Sequence, residues 1–203
     1  MSEIGLFPLD LVLLPGEQRP LHVFEPRYKE LIGECLDEET EFGLVLADEE
    51  GMREVGTRAA VVEVLERFDD GRLNVVIEGG ERFQLLELTD GRSFTTAEVD
   101  AIDDDGEDPT DDERARCLRA YERVVAAAAA DLTELDLEGA SLAFQIGARI
   151  DLGTTVKQDL LELRSERQRV IRLAPLLDRA AEAVRRERSV RERAASNGRV
   201  EPP

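Results

Sequence analysis

The sequence predicts an α+β protein, in which an antiparallel β subdomain with one short helix precedes a helical bundle. Three observations support this fold class. Glycine-containing turns recur roughly every ten residues between 70 and 91, as in a small antiparallel sheet or barrel. The apolar pattern changes from strand-like to helical near residue 109, and helix-capping residues follow that change. The length of 203 residues allows one domain or two small ones.

Strands and turns around one helix are predicted for the first half. An apolar run at 7–14 closes at Pro15-Gly16, which is a turn signal. Apolar side chains at helical spacing predict a helix over 25–36, and 42–47 is predicted as a buried strand. The further strands are predicted at 55–68, 73–78, 82–88 and 94–99, with turns at Asp69-Asp70-Gly71, Gly79-Gly80 and Asp90-Gly91 between them.

Helices are predicted for the second half. Residues 101–112 include seven acids in twelve residues and are predicted to be a loop. Thr110 and Glu113 have capping-box spacing at the start of a helix that is predicted to end near Leu132. Further helices are predicted at 141–150, 156–163 and 166–193, with Thr155 and Ser165 as caps of the last two and Pro175 as a kink or break. The predicted domains are a β subdomain at 1–108, a helical subdomain at 109–195 and a disordered tail at 196–203.

Charge is distributed unevenly along the chain. Residues 1–113 hold 32 of the 46 acids and 9 of the 26 bases, a net −23, and the remainder carries +3. Because phosphate binding requires a positive field, this distribution disfavours a nucleic-acid partner. No apolar run approaches the roughly 20 residues of a membrane helix, and the amino terminus lacks the basic region of a signal peptide. We therefore expect a cytoplasmic protein without a membrane partner.

Residues suited to catalysis are sparse. His22 is the only histidine, which excludes a multi-histidine metal site, and neither a nucleophile elbow nor a phosphate-binding glycine motif occurs. The spacing of Cys35 and Cys117 predicts two buried thiols and no disulfide. Lys157 is expected to be exposed. We predict a binding module with no cofactor and no metal, against two alternatives: an enzyme of unrecognised type, and a helix-pairing scaffold built on the apolar stripe at 170–184.

The most specific pattern is PLHVFEPRY at residues 20–28, inside the segment LFPLDLVLLPGEQRPLHVFEPRYKELI. Weaker matches follow in order at Phe42-Gly43, Glu78-Gly79, Arg82-Phe83 and the KQDLLE segment at 157–162. Together these motifs, over about residues 4–180, resemble the amino-terminal substrate-binding domain of Lon proteases. The matched positions, offered as family-motif or peptide-binding residues, are Phe7, Pro8, Pro15, Gly16, Pro20, Leu21, Phe24, Glu25, Arg27, Tyr28, Gly43, Gly79 and Arg82.

The resemblance implies a fold and a function. The implied fold is a PUA-like pseudo-barrel followed by a helical bundle, and the implied role is non-catalytic recognition of unfolded or tagged polypeptide, with a protease or chaperone as a further partner. The chain carries no Walker motif, which a full Lon protease would have in its ATPase module. Because PUA-like folds often bind RNA, an RNA-binding protein is the alternative. The motif aromatics suit either a core or a peptide pocket, and the sequence gives no oligomeric state.

Overall fold

The computed structural model describes residues 1–89, 91–131, 135–136 and 141–197, with side chains as far as 191. It confirms the α+β class. In chain order the elements are β1 (Ser2–Leu9), β2 (Gln18–Val23), α1 (Pro26–Glu38), β3 (Phe42–Asp48), β4 (Gly51–Arg67), β5 (Leu73–Thr89), β6 (Thr96–Ala101), α2 (Asp111–Ala128), α3 (Leu142–Arg149), α4 (Thr154–Glu162) and α5 (Glu166–Asn197).

The chain divides into two compact units. Unit 1 comprises Met1–Asp105 and Phe144–Arg164, and unit 2 comprises Gly106–Ala143 and Ser165–Pro203. Most of α3 and all of α4 thus group with the strands, although they follow the first long helix in sequence. The predicted boundaries at 108, 109 and 195 stay a prediction. The predicted tail falls outside the described residues from 198 onward, and residues 196–197 lie in α5.

Unit 1 is built on a closed ring of strands. β1 pairs with β3 and β6, β3 pairs with β4, β4 with β5, and β5 with β6, which completes the barrel. β2 adds to the first half of β5 outside this ring. All pairs are antiparallel except β1–β3, which is parallel. The parallel β1–β3 pair differs from the predicted antiparallel sheet, and β2 was not among the predicted strands.

The Gly79-Gly80 pair lies inside β5, so the turn predicted there is wrong. β5 runs without interruption from Leu73 to Thr89. A Cβ on Gly79 would lie 2.3 Å from the backbone oxygen of Leu14, so this glycine allows close approach of two backbones. The turn at Asp70-Gly71 is confirmed, with Gly71 at φ +80°. Asp90, in the third predicted turn, lies outside the described residues.

The main core of unit 1 lies where α1 covers the sheet. Its apolar residues alternate along β5 and recur at helical spacing along α1, which puts one face of each element inside. The Cys35 thiol belongs to this core, and burial raises its pKa. The buried residues are Phe7, Leu13, Val23, Tyr28, Leu31, Ile32, Cys35, Phe42, Leu44, Ala59, Leu73, Val75, Ile77 and Phe94.

Unit 2 is dominated by α2 and α5, which run in the same direction. Three side-chain contacts show this direction. From the start of α2 toward its end, Glu113 contacts Arg167, Arg123 contacts Asp178, and the Ala127 carbonyl oxygen accepts from Arg188 of α5. The Thr110–Glu113 capping box is confirmed, and the Ser165 hydroxyl accepts from the Gln168 amide as predicted. α2 ends at Ala128, where Ala129 adopts the left-handed conformation, so the predicted end near Leu132 is wrong.

Two further features of the helices differ from or complete the predictions. α5 continues through Pro175, which neither splits nor ends it, and Gly153 rather than Thr155 precedes the first turn of α4. The helix stripe at 170–184 is largely buried within the chain, at Val170, Leu173, Ala174, Leu177 and Ala181. Cys117 is buried and free, as Cys35 is, and desolvation raises its pKa to about 12.

Candidate functional site

The aromatic motif residues Phe7 and Tyr28 lie in the core of unit 1. Their rings stack with centroids 3.9 Å apart, and Phe42 packs against Phe7 at 6.0 Å. Only 3% of Phe7 and 5% of Tyr28 are exposed, and burial raises the pKa of the Tyr28 hydroxyl. Leu21 also packs against this core from β2. These three motif residues therefore hold α1 and β2 on the barrel.

The proline and glycine motif residues shape the backbone of unit 1. Pro15 and Gly16 make the turn between β1 and β2, where Gly16 has φ +74°. A Cβ on Gly43 would lie 2.8 Å from Leu6 Cδ2, so a larger residue there would displace the core. Pro8 is half-buried near the end of β1. None of these four presents a side chain with polar chemistry.

Arg82 is a buried brace within unit 1. Its guanidinium donates to the carbonyl oxygens of Leu161 at 2.9 Å and Leu163 at 2.6 Å, and it forms an ion pair with Asp104. The Arg82 side chain is 5% exposed and its Cζ lies 5.6 Å from the Phe144 ring centroid. An arginine guanidinium can donate to several carbonyl oxygens at once and so hold separate chain segments together. Here it holds the end of α4 against residues 102–104, which follow β6.

The KQDLLE segment is equally structural. Lys157, expected to be exposed, is 7% exposed, and its Nζ lies 2.6 Å from Glu17 Oε1. Gln158 donates to the carbonyl oxygen of Val55 at 3.1 Å. Glu17 Oε2 accepts from the Leu14 amide at 3.0 Å, so the pair also fixes the loop before β2. Glu17 was not among the predicted site residues, because its only signal in the sequence is its place beside Pro15-Gly16.

Four accessible motif residues lie from the middle of β2 to the first turn of α1. Pro20 and Phe24 are exposed, and Glu25 and Arg27 are about half-exposed. Arg27 Nε donates to Glu25 Oε2 at 3.0 Å, and its Cζ lies 4.5 Å from the Tyr28 ring centroid. Glu25 and Arg27 thus pair with each other at the first turn of α1. Phe24 alone among the motif aromatics faces solvent, with 59% of its surface exposed.

Phe24 belongs to an exposed cluster at the end of the β4–β5 hairpin. The His22 ring centroid lies 5.8 Å from that of Phe24 and 6.2 Å from that of Phe68. Val62 and Leu65 of β4 are 48% and 53% exposed, and each is the extra residue where the β4–β5 register shifts. We name the three rings of His22, Phe24 and Phe68 the hairpin surface.

Polar groups order the strands beneath the hairpin surface. His22 Nδ1 lies 2.6 Å from Asn74 Oδ1, and Asn74 Nδ2 donates to Glu66 Oε2 at 3.0 Å. Since the Asn74 amide group uses its nitrogen toward Glu66, its oxygen accepts and His22 carries its proton on Nδ1. These three residues face each other across β2, β5 and β4. The row fixes the position of the His22 ring beside Phe24.

The turn at the tip is also held by charge. The Asp70 carboxylate accepts from the Arg72 amide at 3.1 Å and from Arg72 Nε at 2.7 Å, which lowers the pKa of Asp70. Arg72 Cζ in turn lies 4.8 Å from the Phe68 ring centroid, a cation–π arrangement. Lys29 of α1 donates to the Asp70 carbonyl oxygen at 3.0 Å. The hairpin surface is therefore anchored on both α1 and the sheet.

β2 provides an edge next to the hairpin surface. Among the described strands it pairs with β5 alone, so its outer row of backbone groups is left for water or another chain. Pro20, in the middle of β2, is tolerated because an edge strand has one unpaired side. An extended segment added here would run beside His22 and Phe24.

The described residues were also compared with the requirements of metal binding and of membrane spanning. No group of three or more His, Cys, Asp or Glu side chains among them is placed to hold a metal ion. Within the same described ranges, no helix is long and apolar enough to span a bilayer.

Comparisons with solved structures reproduce the fold. A Lon N-terminal domain protein from Xanthomonas campestris matches with a TM-score of 0.67 at 23% identity, over 85% of this chain and 97% of that one. The N-terminal domain of a Mycobacterium avium complex Lon protease matches with a TM-score of 0.68 at 19% identity, over 87% and 98%. At these identities the likeness concerns the fold.

Sequence comparisons also give Lon proteases as relatives. The chain is 26% identical to a Lon protease of Parabacteroides distasonis and 29% identical to one of Anaeromyxobacter dehalogenans, over 92% and 90% of its own length. It spans about a quarter of the length of these relatives. The family model for the substrate-binding domain of the ATP-dependent protease La (LON), a domain that is non-catalytic in itself, matches residues 3–179. The chain therefore belongs to the LON substrate-binding domain family and has the fold of a substrate-recognition module.

Proposed function

We propose that this chain binds unfolded or extended polypeptide segments, including exposed tags, at the hairpin surface. The observation that carries the proposal is the 59% exposure of Phe24 beside His22, at the end of an edge strand. Burying a phenylalanine side chain is worth about 1.5–3 kcal/mol, and exposed apolar clusters with polar surroundings are typical of interaction sites. A client side chain packed on Phe24 would recover part of that free energy, because 59% of Phe24 is still exposed.

The second contribution comes from the backbone edge of β2. An extended client pairs with such an edge through main-chain hydrogen bonds, which need no particular client sequence. Its alternate side chains would then meet the hairpin surface, since side chains alternate along a strand. Pro20 lacks an amide donor and so limits the length of regular pairing. This combination suits many unfolded clients at modest affinity.

The charge distribution supports polypeptide over RNA as the partner. The net −23 of residues 1–113 repels phosphate, whereas it leaves neutral and basic polypeptides unopposed. In the cytoplasm that we expect for this protein, a protease or chaperone would receive the bound clients. Binding itself requires no cofactor in this account.

The proposal is tested by the fluorescence anisotropy of a labelled neutral 12-residue peptide that alternates Leu or Phe with Ser. We expect saturable binding with Kd below about 100 μM, and a loss of roughly tenfold or more in Phe24→Ser. Leu88→Ser is the matched control, because Leu88 is 52% exposed on β5 outside the hairpin surface. Absence of binding, or equal losses in both variants, would contradict the proposal.

A further inference from the structure

A groove of about 850 Å³ lies in unit 1 between α1, β1 and the segment before β6, away from the hairpin surface residues. Its floor is apolar, with Ile4, Leu31 and Phe94 each no more than 6% exposed as whole residues. The volume lies within the range of sites that enclose a small ligand or a few residues of a peptide.

The rim of the groove is strongly acidic. Five glutamates line it, at positions 3, 34, 38, 39 and 41, against two arginines, Arg58 and Arg92. Because negative charges outnumber positive ones at the rim, around an apolar floor, the groove attracts a partner of positive charge and repels an acidic one.

Part of this charge is already neutralised inside the protein. Arg92 pairs with Glu34, and its Cζ lies 4.7 Å from the Phe94 ring centroid. Glu3 accepts a hydrogen bond from the Thr89 hydroxyl at 2.9 Å. Glu38, Glu39 and Glu41 form no ion pair with any described lysine or arginine of the chain. These three exposed carboxylates gather where α1 ends, because Glu39 turns the chain with φ 54°.

Arg58 gives the groove a donor for peptide carbonyl groups. Its guanidinium donates to the Ser2 hydroxyl at 2.7 Å, which uses one of its five N–H groups. An extended chain in the groove would offer carbonyl oxygens to the remaining donors while its side chains point alternately to the floor and the rim. The groove thus combines features that match a peptide with apolar and basic residues in alternation.

We infer that the groove is a second client-binding site, which takes segments that carry Lys or Arg beside an apolar residue. The basic side chains pair with Glu38, Glu39 and Glu41, and the apolar residue lies on Leu31 and Phe94. The inference rests on the proposed polypeptide binding and adds a substrate class to it. Each exposed ion pair is weak and screened by salt, so selectivity requires several of them together.

The test compares three labelled 12-residue peptides with the full chain. The first is the neutral peptide described above; in the second and third, four serines are replaced by arginine and by glutamate respectively. The groove variant is Glu38→Lys with Glu41→Lys, at exposed positions outside the core. The matched control is Glu49→Lys with Glu122→Lys, which makes the same charge change at exposed positions outside the groove. Thermal melts establish that all variants fold.

The expected result is that the arginine peptide binds at least tenfold tighter than the glutamate peptide at low salt. This advantage should fall by about tenfold in the groove variant, remain in the control variant, and decrease with added salt. Equal effects of the two double variants, or no preference for the arginine peptide, would overturn the inference. If either of these results is found while the neutral peptide still binds, the proposed function is retained and only the second site is rejected. If the neutral peptide does not bind at all, both the proposed function and the second site are contradicted.

Discussion

Lys157 and Glu17, 140 residues apart in sequence, form an ion pair of 2.6 Å in which neither side chain is more than 9% exposed. The pair joins α4 to the loop before β2. Glu17 also accepts from the Leu14 amide, so both of its oxygens are engaged. A pair buried to this extent fixes the position of the chain that leads into the hairpin surface.

Removing one member of this pair should destabilise the protein strongly. Lys157→Met leaves the buried Glu17 carboxylate with only the half-exposed Arg19, whose Nε lies 3.4 Å from Glu17 Oε1, as its counter-charge. We expect a loss of up to about 3 kcal/mol in the free energy of unfolding. Urea denaturation followed by circular dichroism measures this loss. Lys29→Met, at the other lysine of the chain, is the control, because Lys29 makes a hydrogen bond at the partly exposed surface. Adding Glu17→Gln should recover part of the loss; a Lys157→Met effect no larger than the control's would contradict a role for the pair.

Arg82 should act on stability and leave peptide binding unchanged. Arg82→Lys keeps the charge and loses the fork that contacts the carbonyls of Leu161 and Leu163, so we expect a loss of about 2 kcal/mol. Anisotropy with the neutral peptide, well below the melting temperature, should give an unchanged Kd. A large increase in Kd with an unchanged melting temperature would instead place Arg82 in the binding site.

The secondary-structure elements could be predicted from the sequence where one face of the element is buried at a regular spacing. Strand and helix periods identified β3, α1, α2 and α5 closely, because each buries one face at a regular spacing. β2 was missed because Pro20 and its polar neighbours lack a buried alternating face. Gly79 was misassigned because a glycine needed for close backbone approach has the same sequence signal as a glycine in a turn.

The candidate site was predictable only in part. The pattern around PLHVFEPRY includes Phe24 of the proposed site, but it contains both core residues such as Tyr28 and exposed ones such as Phe24. The spacing of apolar residues does not distinguish core residues from exposed ones in this stretch, because a strand ends and a helix begins within it. Leu65 is exposed where the β4–β5 register shifts, and local sequence does not specify that register. Lys157 is buried because of a partner 140 residues away.

Glu113 should make unit 2 sensitive to acid. Hydrogen bonds from Arg167 and the Thr110 amide lower the pKa of Glu113 from 4.5 to about 2. A carboxylate whose pKa is lower in the folded than in the unfolded state stabilises the fold above the unfolded value, and this contribution is lost as the pH falls toward 2. The stability difference between the protein and Glu113→Gln should therefore be present at pH 7 and shrink between about pH 4.5 and 2.

Thermal melts across this pH range measure the difference. Glu122→Gln is the control on the same helix, because Glu122 is exposed and forms no described ion pair. The melting temperature of Glu122→Gln should stay close to that of the unaltered protein across this pH range. A Glu113→Gln difference that does not change with pH would exclude the pairing with Arg167 as the cause.

The most direct test of polypeptide binding at the hairpin surface is backbone hydrogen exchange with and without the neutral peptide. Saturating peptide should slow the exchange of amides in β2 and around Phe24, Leu65 and Phe68, because pairing and burial protect them. The same experiment on Phe24→Ser should show little protection there. Protection confined to unit 2, or no change at β2 and the hairpin under conditions of saturated binding, would contradict the account.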